Sequence, residues 1–223
     1  MQQRGWQMTL VAEGRKDLLS ALDRRLIDNA PHPHLTGIRR FVVEFVMFGI
    51  KEARACLFAG LFFISIFAVP RAGLFGIPRY DVLLIIALAI QIWMVWTKLE
   101  TMDELKAICL FHVVGFALEA FKTAGANPSW TYQDFAYTKL LGVPLFSGFM
   151  YAAVGSYIIQ AWRLLDVRIR HHPPYWMAIG VAVAIYLNFF THHYIGDYRW
   201  YLAALASGLY ARTTVIYRPF DRD

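Results

Sequence analysis

The chain has 223 residues, of which 58% are hydrophobic, 16% aromatic and only 17% charged, and its mean hydropathy is +0.41. A soluble domain of this length needs less apolar sequence to fill its core, so the composition argues against that class and predicts a multi-span membrane protein. The net charge of +6 would suit nucleic acid. However, the sequence has neither a basic stripe with interleaved aromatic residues nor zinc-finger spacing, which excludes a nucleic-acid partner.

The first 38 residues are more polar than the rest of the chain. Leu18, Leu22 and Leu26 recur at helical spacing among charged residues. This pattern suits a short amphipathic helix on the cytoplasmic side and, equally well, a solvated tail. His32 and His34 lie beside prolines without the further ligands that a metal site needs. No signal peptide is recognised, so the first membrane span is expected to direct insertion.

Beyond this segment, apolar stretches alternate with short polar links. A helix needs about 20 residues to cross a bilayer. Six stretches come near that length, at residues 53–69, 82–97, 107–121, 143–165, 175–190 and 199–217. Prolines fall at or between the ends of these stretches, where a missing amide donor does least harm. The predicted fold class is therefore all-α, a polytopic bundle of about six transmembrane helices.

The basic residues set the predicted orientation of this bundle. If alternate loops face the cytoplasm, that side holds most of the 22 Lys and Arg residues. This positive-inside bias places both termini in the cytoplasm. The predicted domains are a cytoplasmic segment at 1–38, a transmembrane helical domain at 39–218 and a C-terminal tail at 219–223.

The third apolar stretch carries ionisable groups. His112 and Glu119 are two helical turns apart and project from nearly the same face, and Lys122 follows one turn later. Ionisable groups inside a span are costly, so they mark a functional site by default. The structural alternatives are a Glu119–Lys122 pair that eases the helix end into the headgroups, and a His112 bonded to a neighbouring helix. The aromatic loop that follows, with Trp130 and Tyr132, is expected to fold back as a lid.

The fourth stretch places small residues at four-residue spacing. Gly148, Ala152 and Ser156 form the pattern that lets helix backbones approach closely. Helix packing is the preferred interpretation. The same face is where a homo-oligomer would form.

A second polar cluster follows the fifth stretch. Asn188 and His192 lie one turn apart, and His193 and Asp197 come directly after. The predicted topology brings these residues to the same non-cytoplasmic side as Glu119, so we expect one shared polar pocket. An aromatic belt at headgroup depth is the structural alternative.

No cofactor follows from these residues. His112, Glu119, His192 and Asp197 could each bind a metal, but their spacing does not match the repeated histidine boxes of membrane di-iron enzymes, and no metal is assigned. The sequence also lacks a Walker loop, a GxGxxG turn before a helix, a GxSxG elbow and a CxxC pair.

Several short segments of the sequence resemble those of a bacterial integral-membrane family, domain of unknown function 817. They run in order between about residues 40 and 212 and read ARACLFAG, YDVLLIIALAIQ, FHVVGFALEAFKT, WTY, GVPLFSGFMYAAVGSYI, AWRLLDVR and NFFTHHYIGDYRW. The resemblance implies a multi-pass protein of the bacterial cytoplasmic membrane. Members of that family continue into further apolar sequence with another acidic motif and a second W-x-Y element, so this chain looks shorter at its C-terminus.

Three functions are compatible with these features. The first is an enzyme that performs acid–base chemistry on an apolar lipid, with Glu119 as proton donor, His112 or His192 as base and Lys122 as orienting group. Its substrate-binding residues would be Asn188, His193, Asp197, Trp130 and Tyr132. A similarity to membrane carotenoid hydratases, which pair an intramembrane glutamate with a helix entered through Gly-x-Pro, suggests an isoprenoid-like lipid.

The second function is a proton-coupled transporter of small solutes, in which His112 and Glu119 would form the path. The third is a non-catalytic membrane scaffold. In each case the lipid bilayer is the expected partner, and the enzyme hypothesis adds an apolar lipid ligand.

Overall fold

The computed structural model describes Asp23, Arg25, Leu26, residues 36–124 and residues 128–217. In this part of the chain the helices are α1 (Gly37–Ala55), α2 (Leu57–Ala68), α3 (Arg79–Trp96), α4 (Met102–Thr123), α5 (Gly148–Leu164), α6 (Tyr175–Ile195) and α7 (Arg199–Tyr210). The strands are β1 (Lys139–Leu140), β2 (Val143–Pro144), β3 (Arg168–Arg170) and β4 (Thr214–Ile216). The protein is therefore mostly helical, as predicted, and each of the six apolar stretches overlaps one of the helices α2 to α7, whereas α1 begins before the first stretch.

Parts of two predictions lie outside the described residues. They are the amphipathic helix around Leu18 and Leu22 with the neighbouring His32 and His34, and the C-terminal tail at 219–223.

Local sequence signals set where several helices begin and end. At the start of α4, the Thr101 hydroxyl accepts from the Glu104 amide at 3.3 Å and the Glu104 carboxylate accepts from the Thr101 amide at 2.7 Å, which is a capping box. Pro78 directly precedes α3, where its missing donor costs nothing. Gly196 follows α6 at a φ of 103°, a conformation that glycine adopts without strain.

The last predicted span is shorter in the structure than in the sequence analysis. The apolar stretch at 199–217 was expected to form one helix, but α7 ends at Tyr210. The residues Thr214–Ile216 form β4 and pair antiparallel with β3, in the register Ile169 opposite Val215. The β-branched run of Thr, Val and Ile favours a strand over a helix.

The chain divides into two compact units, and each is described by itself. The first contains α1 to α5 with β1 and β2, and the second, Val167–Arg218, contains α6, α7, β3 and β4. In the first unit, α4 packs most closely on α5, which also contacts α1 and α2. Its core is aromatic, because the rings of Phe58, Phe62 and Phe149 pack together with centroids 6.1–6.3 Å apart.

Small residues allow the close approach of α4 and α5. A Cβ atom on Gly115 would lie 2.4 Å from the Tyr151 side chain, and one on Gly155 would lie 2.7 Å from the Phe111 ring. Ala152 and Ser156 are fully buried in the same unit. This confirms helix packing as the role of the small-residue pattern. A homo-oligomer through this face stays a prediction.

In the described part of the chain, two helices are long and apolar enough to cross a membrane. They are α3, with 18 residues, and α6, with 21 residues, judged by length and composition alone. The helix α2 is apolar but has only 12 residues.

Candidate functional site

The Glu119 carboxylate lies at the centre of an aromatic cluster. Glu119 is 3% exposed near the end of α4. Its Oε2 accepts hydrogen bonds from the Trp130 indole at 2.8 Å and from the Tyr132 hydroxyl at 2.9 Å, and its Oε1 accepts from the Tyr151 hydroxyl at 2.8 Å. The structure thus brings together three of the predicted site residues, Glu119, Trp130 and Tyr132, and adds Tyr151 from α5. We call these four residues the aromatic cradle.

The loop that supplies Trp130 and Tyr132 is fastened at several points. The amides of Tyr137 and Thr138 donate to the Asp81 carboxylate of α3 at 2.8 and 2.9 Å. The Ser129 amide donates to the Lys122 carbonyl at 2.9 Å. The loop therefore folds back onto the polar residues of α4, as the sequence predicts. Asp81 had no role in the sequence analysis, although its position in the first turn of a helix is a typical place for a capping carboxylate.

Burial governs the chemistry of the aromatic cradle. Desolvation, followed by the charge of Glu119, raises the pKa of the Tyr132 phenol above its ordinary value, so this hydroxyl stays protonated and acts as a donor. Lys122 is also buried, one turn beyond Glu119. With three donors on its two oxygens, Glu119 serves here as a hydrogen-bond acceptor.

His112 lies two turns before Glu119 in a different environment. Its ring packs against Phe149 at a centroid distance of 4.4 Å. The Nδ1 atom is buried and has no hydrogen-bond partner. Gly148 of α5 leaves room for the ring, because a Cβ atom there would lie 2.7 Å from Nδ1. The structural alternative, a histidine bonded through Nδ1 to a neighbouring helix, is not what the structure contains.

An apolar cavity of about 780 Å³ lies beside His112, between α3 and α4. We call it the α3–α4 cleft. Its lining residues are Leu84, Leu88, Gln91, Ile92, Val95, Trp96, Met102, Leu105, Ile108, Cys109, His112, Val113, Leu145 and Phe149. Among the described residues, the lining of this cleft includes His112 but not Glu119 or Lys122.

A second buried carboxyl group lies just before α4. Glu100 is 2% exposed, and it accepts hydrogen bonds from the Ser156 hydroxyl at 2.5 Å, the Gln160 amide at 3.4 Å and the Gln91 amide. Burial raises the pKa of Glu100, while the bonds from Ser156 and Gln91 act in the opposite direction. Sequence reasoning missed this cluster, because Glu100 falls in a link between two apolar stretches. The sequence does contain an indication of this cluster, because the polar residues Ser156 and Gln160 lie one turn apart in an otherwise apolar helix.

An ion cluster lies close to Glu100 in the same unit. Arg54 donates to both carboxylate oxygens of Asp23 at 2.8 and 3.0 Å, and Arg163 bonds Asp23 at 2.9 Å and Glu104 at 2.9 Å. Both arginines also donate to the Leu99 carbonyl. In the sequence, Arg54 and Arg163 stand out only as part of the cytoplasmic excess of basic residues. In the structure they are buried side chains that hold Asp23, which is a structural role.

The predicted residues of the second unit make local contacts. The Asn188 side chain is buried, donates to the Gly196 carbonyl at 2.8 Å and accepts from the Tyr198 amide at 3.1 Å, so it holds the turn between α6 and α7. Asp197 is exposed and pairs with Arg199 at 2.7 Å, which lowers the pKa of its carboxyl. His192 Nδ1 lies 2.9 Å from the Phe189 carbonyl.

The expected shared pocket joins residues of both units, so it stays a prediction. The imidazole rings of His192 and His193 lie 3.9 Å apart. In the described ranges, no group of three or more His, Cys, Asp and Glu side chains is placed to hold a metal ion.

The fold and these contacts define a mostly helical protein with polar side chains buried between its helices and with two helices apolar enough to cross a membrane. The chain belongs to the family described as "Protein of unknown function (DUF817)", whose model matches residues 44–223. A relative in Bacillus subtilis (strain 168), "Uncharacterized protein YoaT", is 47% identical over 178 residues, which cover 80% of this chain and 67% of the relative. No solved structure matches the chain. The resemblance found in the sequence is thereby confirmed.

Proposed function

We propose that this protein is a multi-span protein of the bacterial cytoplasmic membrane that binds an apolar lipid in the α3–α4 cleft, where His112 exchanges a proton with the lipid. The observation that carries the proposal is the cleft itself. It offers about 780 Å³ and is lined almost entirely by aliphatic and aromatic side chains. Such a lining favours an apolar ligand, and its few polar groups would fix the orientation of that ligand.

The surface of the helices supports a membrane location. Large apolar side chains are exposed on several of them, including Phe67 at 87%, Trp96 at 82% and Ile92 at 68%. Apolar patches of this kind on a protein surface mark a membrane or a protein partner. The helices α3 and α6 are long enough to cross the bilayer, and we propose α4, α5, α7 and the joined α1 and α2 as the other spans, with both termini in the cytoplasm.

The shape of the cleft favours a chain-like ligand. Its lining follows α4 from Met102 to Val113, which at about 1.5 Å per residue corresponds to roughly 16 Å. Several of its lining side chains, such as Leu88, Ile92 and Val113, are exposed at the surface of the first unit. In a bilayer these residues would face the acyl chains, so an isoprenoid or fatty chain could enter sideways without crossing water.

The positions of the ionisable groups narrow the acid–base hypothesis to His112. Its ring lines the cleft and its buried Nδ1 has no hydrogen-bond partner, so we propose this imidazole as the group that exchanges a proton with the ligand. Glu119 already accepts three hydrogen bonds in the aromatic cradle. We therefore propose that Glu119 holds the loop in place, and that it is not the proton donor.

Filling the cleft tests lipid binding. We would purify the protein in mild detergent and identify the apolar lipids that stay bound by mass spectrometry. Leu88→Trp places a large side chain in the cleft and should reduce the bound lipid at least tenfold. Ile64→Trp makes the same change at an exposed position of α2 outside the cleft and should retain the lipid. Equal lipid content in both variants would contradict the proposal.

Deuterium exchange tests the acid–base step. A group that adds a deuteron to a double bond of a bound polyene, and then removes a proton from a carbon next to the resulting cation, would introduce solvent deuterium at the carbons of that double bond. We expect incorporation with the wild-type protein in D2O, and its loss in His112→Gln under conditions in which this variant still binds the lipid. Unchanged incorporation in His112→Gln would exclude His112 as the reacting group.

A further inference from the structure

Gln91 is a polar residue in the otherwise apolar α3–α4 cleft. It lies on α3, is 6% exposed and contributes to the cleft lining next to Leu88 and Ile92. Its amide nitrogen donates to Oε2 of Glu100. Glu100 is held from the other side by the Ser156 hydroxyl of α5 at 2.5 Å. The amide of Gln91 is therefore fixed at one end.

The oxygen atom of the Gln91 amide has no hydrogen-bond partner. The amide nitrogen of Gln91 faces the Glu100 carboxyl group, so the amide oxygen points away from it. This Oε1 atom is buried and has no hydrogen-bond partner. An unpaired buried acceptor is unfavourable, and a ligand that supplies a donor would remove this cost.

His112 presents a second unsatisfied atom in the same cleft. Its Nδ1 is buried and has no partner, and its ring lines the cleft from α4, opposite Gln91 on α3. Two helices thus each contribute to the cleft lining a residue with one buried, unpaired polar atom. A pure hydrocarbon would leave both atoms unpaired.

We propose that the ligand of the α3–α4 cleft is an apolar chain that carries a hydroxyl group, and that Gln91 Oε1 accepts the hydroxyl proton. This inference rests on the proposed function and names its ligand class, a long-chain or isoprenoid alcohol. A ketone, ester or ether has no proton to donate to Oε1. A protonated amine would donate, but its charge is costly in an apolar cavity.

Two matched probes test the inference on the wild-type protein. Geranylgeraniol has the hydroxyl group, and its methyl ether has the same chain without a donor. We would measure the binding of both to the full chain in lipid nanodiscs by competition with a bound fluorescent fatty acid. The alcohol should bind about tenfold more tightly than the ether, because one buried hydrogen bond is worth that factor. Equal affinities for the two probes would overturn the inference about the hydroxyl group. They would not contradict lipid binding in the cleft.

Variants then assign the preference to Gln91. Gln91→Leu should lose the preference for the alcohol while the affinity for the ether stays within about twofold, and Gln91→Met should do the same if the leucine variant does not accumulate. Ser156→Ala also removes a donor from Glu100, but it lies outside the cleft lining and should retain the preference. A preference that survives in the folded Gln91 variants would overturn the assignment. If neither probe binds the wild-type protein, the proposed function fails as well.

Discussion

The aromatic cradle and the polar cluster at the end of α6 look alike in the sequence, but they differ in what holds them. Glu119 is buried, and its partners come from 11, 13 and 32 residues away along the chain. Asp197 is exposed and pairs with Arg199, two residues on, and His192 contacts the carbonyl of Phe189, three residues back. The first cluster therefore joins separate elements of the first unit, whereas the second is formed by neighbours in sequence.

This difference has an energetic consequence. Buried hydrogen bonds add about 1 kcal/mol each, and breaking them leaves donors unpaired at a larger cost. Exposed ion pairs add little, because water and salt screen them. Polar substitutions should therefore have large effects in the aromatic cradle and small effects around Asp197.

The largest effect is expected from Glu119→Leu. Leucine removes the acceptor of Trp130, Tyr132 and Tyr151, which should lower the free energy of unfolding by about 2–4 kcal/mol. Glu119→Gln is the matched control, because its amide oxygen can accept from Trp130 and Tyr132 while its nitrogen donates to the hydroxyl of Tyr151. Thermal unfolding in detergent measures both. A leucine variant as stable as the glutamine variant would show that the cradle does not fasten the loop.

Asn188→Ala should have the next largest effect, because Asn188 is the buried member of the second cluster. The substitution removes the bonds to the Gly196 carbonyl and the Tyr198 amide, at a cost of about 1–2 kcal/mol. His193→Ala, at an exposed neighbour, serves as the comparison. Hydrogen exchange should accelerate at residues 196–199 in Asn188→Ala and not in His193→Ala. Equal exchange rates in both variants would show that the buried Asn188 does not stabilise this turn more than the exposed His193 does.

The pH dependence of stability extends the comparison to Glu100. Burial raises the pKa of this carboxyl above its ordinary value of 4.5, so the folded chain holds the proton more tightly than the unfolded chain. The stability that this proton contributes is fully present below pH 4.5 and is lost as the pH rises through the folded pKa, by at most about 1.4 kcal/mol per pH unit. As the pH is raised from 4 to 8, the midpoint temperature of thermal unfolding should decrease less for Glu100→Gln than for the wild-type protein. Parallel profiles would contradict this.

The smallest effect is expected from Asp197→Asn. The carboxylate is exposed, and its pair with Arg199 is screened by solvent. We expect an unfolding temperature that is indistinguishable from wild type at physiological salt. A clear loss of stability would mean that Asp197 has a partner beyond Arg199, and the contrast between the two clusters would then be weaker than proposed.

The sequence by itself determined the helical class, the approximate place of helices α2 to α7 and the family. Apolar runs of near-spanning length, with prolines at their ends, indicate helices because each run satisfies its own backbone hydrogen bonds. The same reasoning found Glu119, Trp130 and Tyr132, since ionisable and aromatic residues stand out in an apolar chain. It failed at residues 214–216, where strand pairing with Arg168–Arg170 decided the local structure.

Only the tertiary structure decided which polar residues are buried and which of them meet. Glu100 falls in a link between two apolar stretches, yet helices α3 and α5 enclose it with Gln91 and Ser156. Likewise His112 and Glu119 share a helix face in sequence, but one lines a cleft and the other is enclosed by aromatic donors. The physical reason is that burial depends on which elements pack against a residue, and that packing joins residues far apart in the chain.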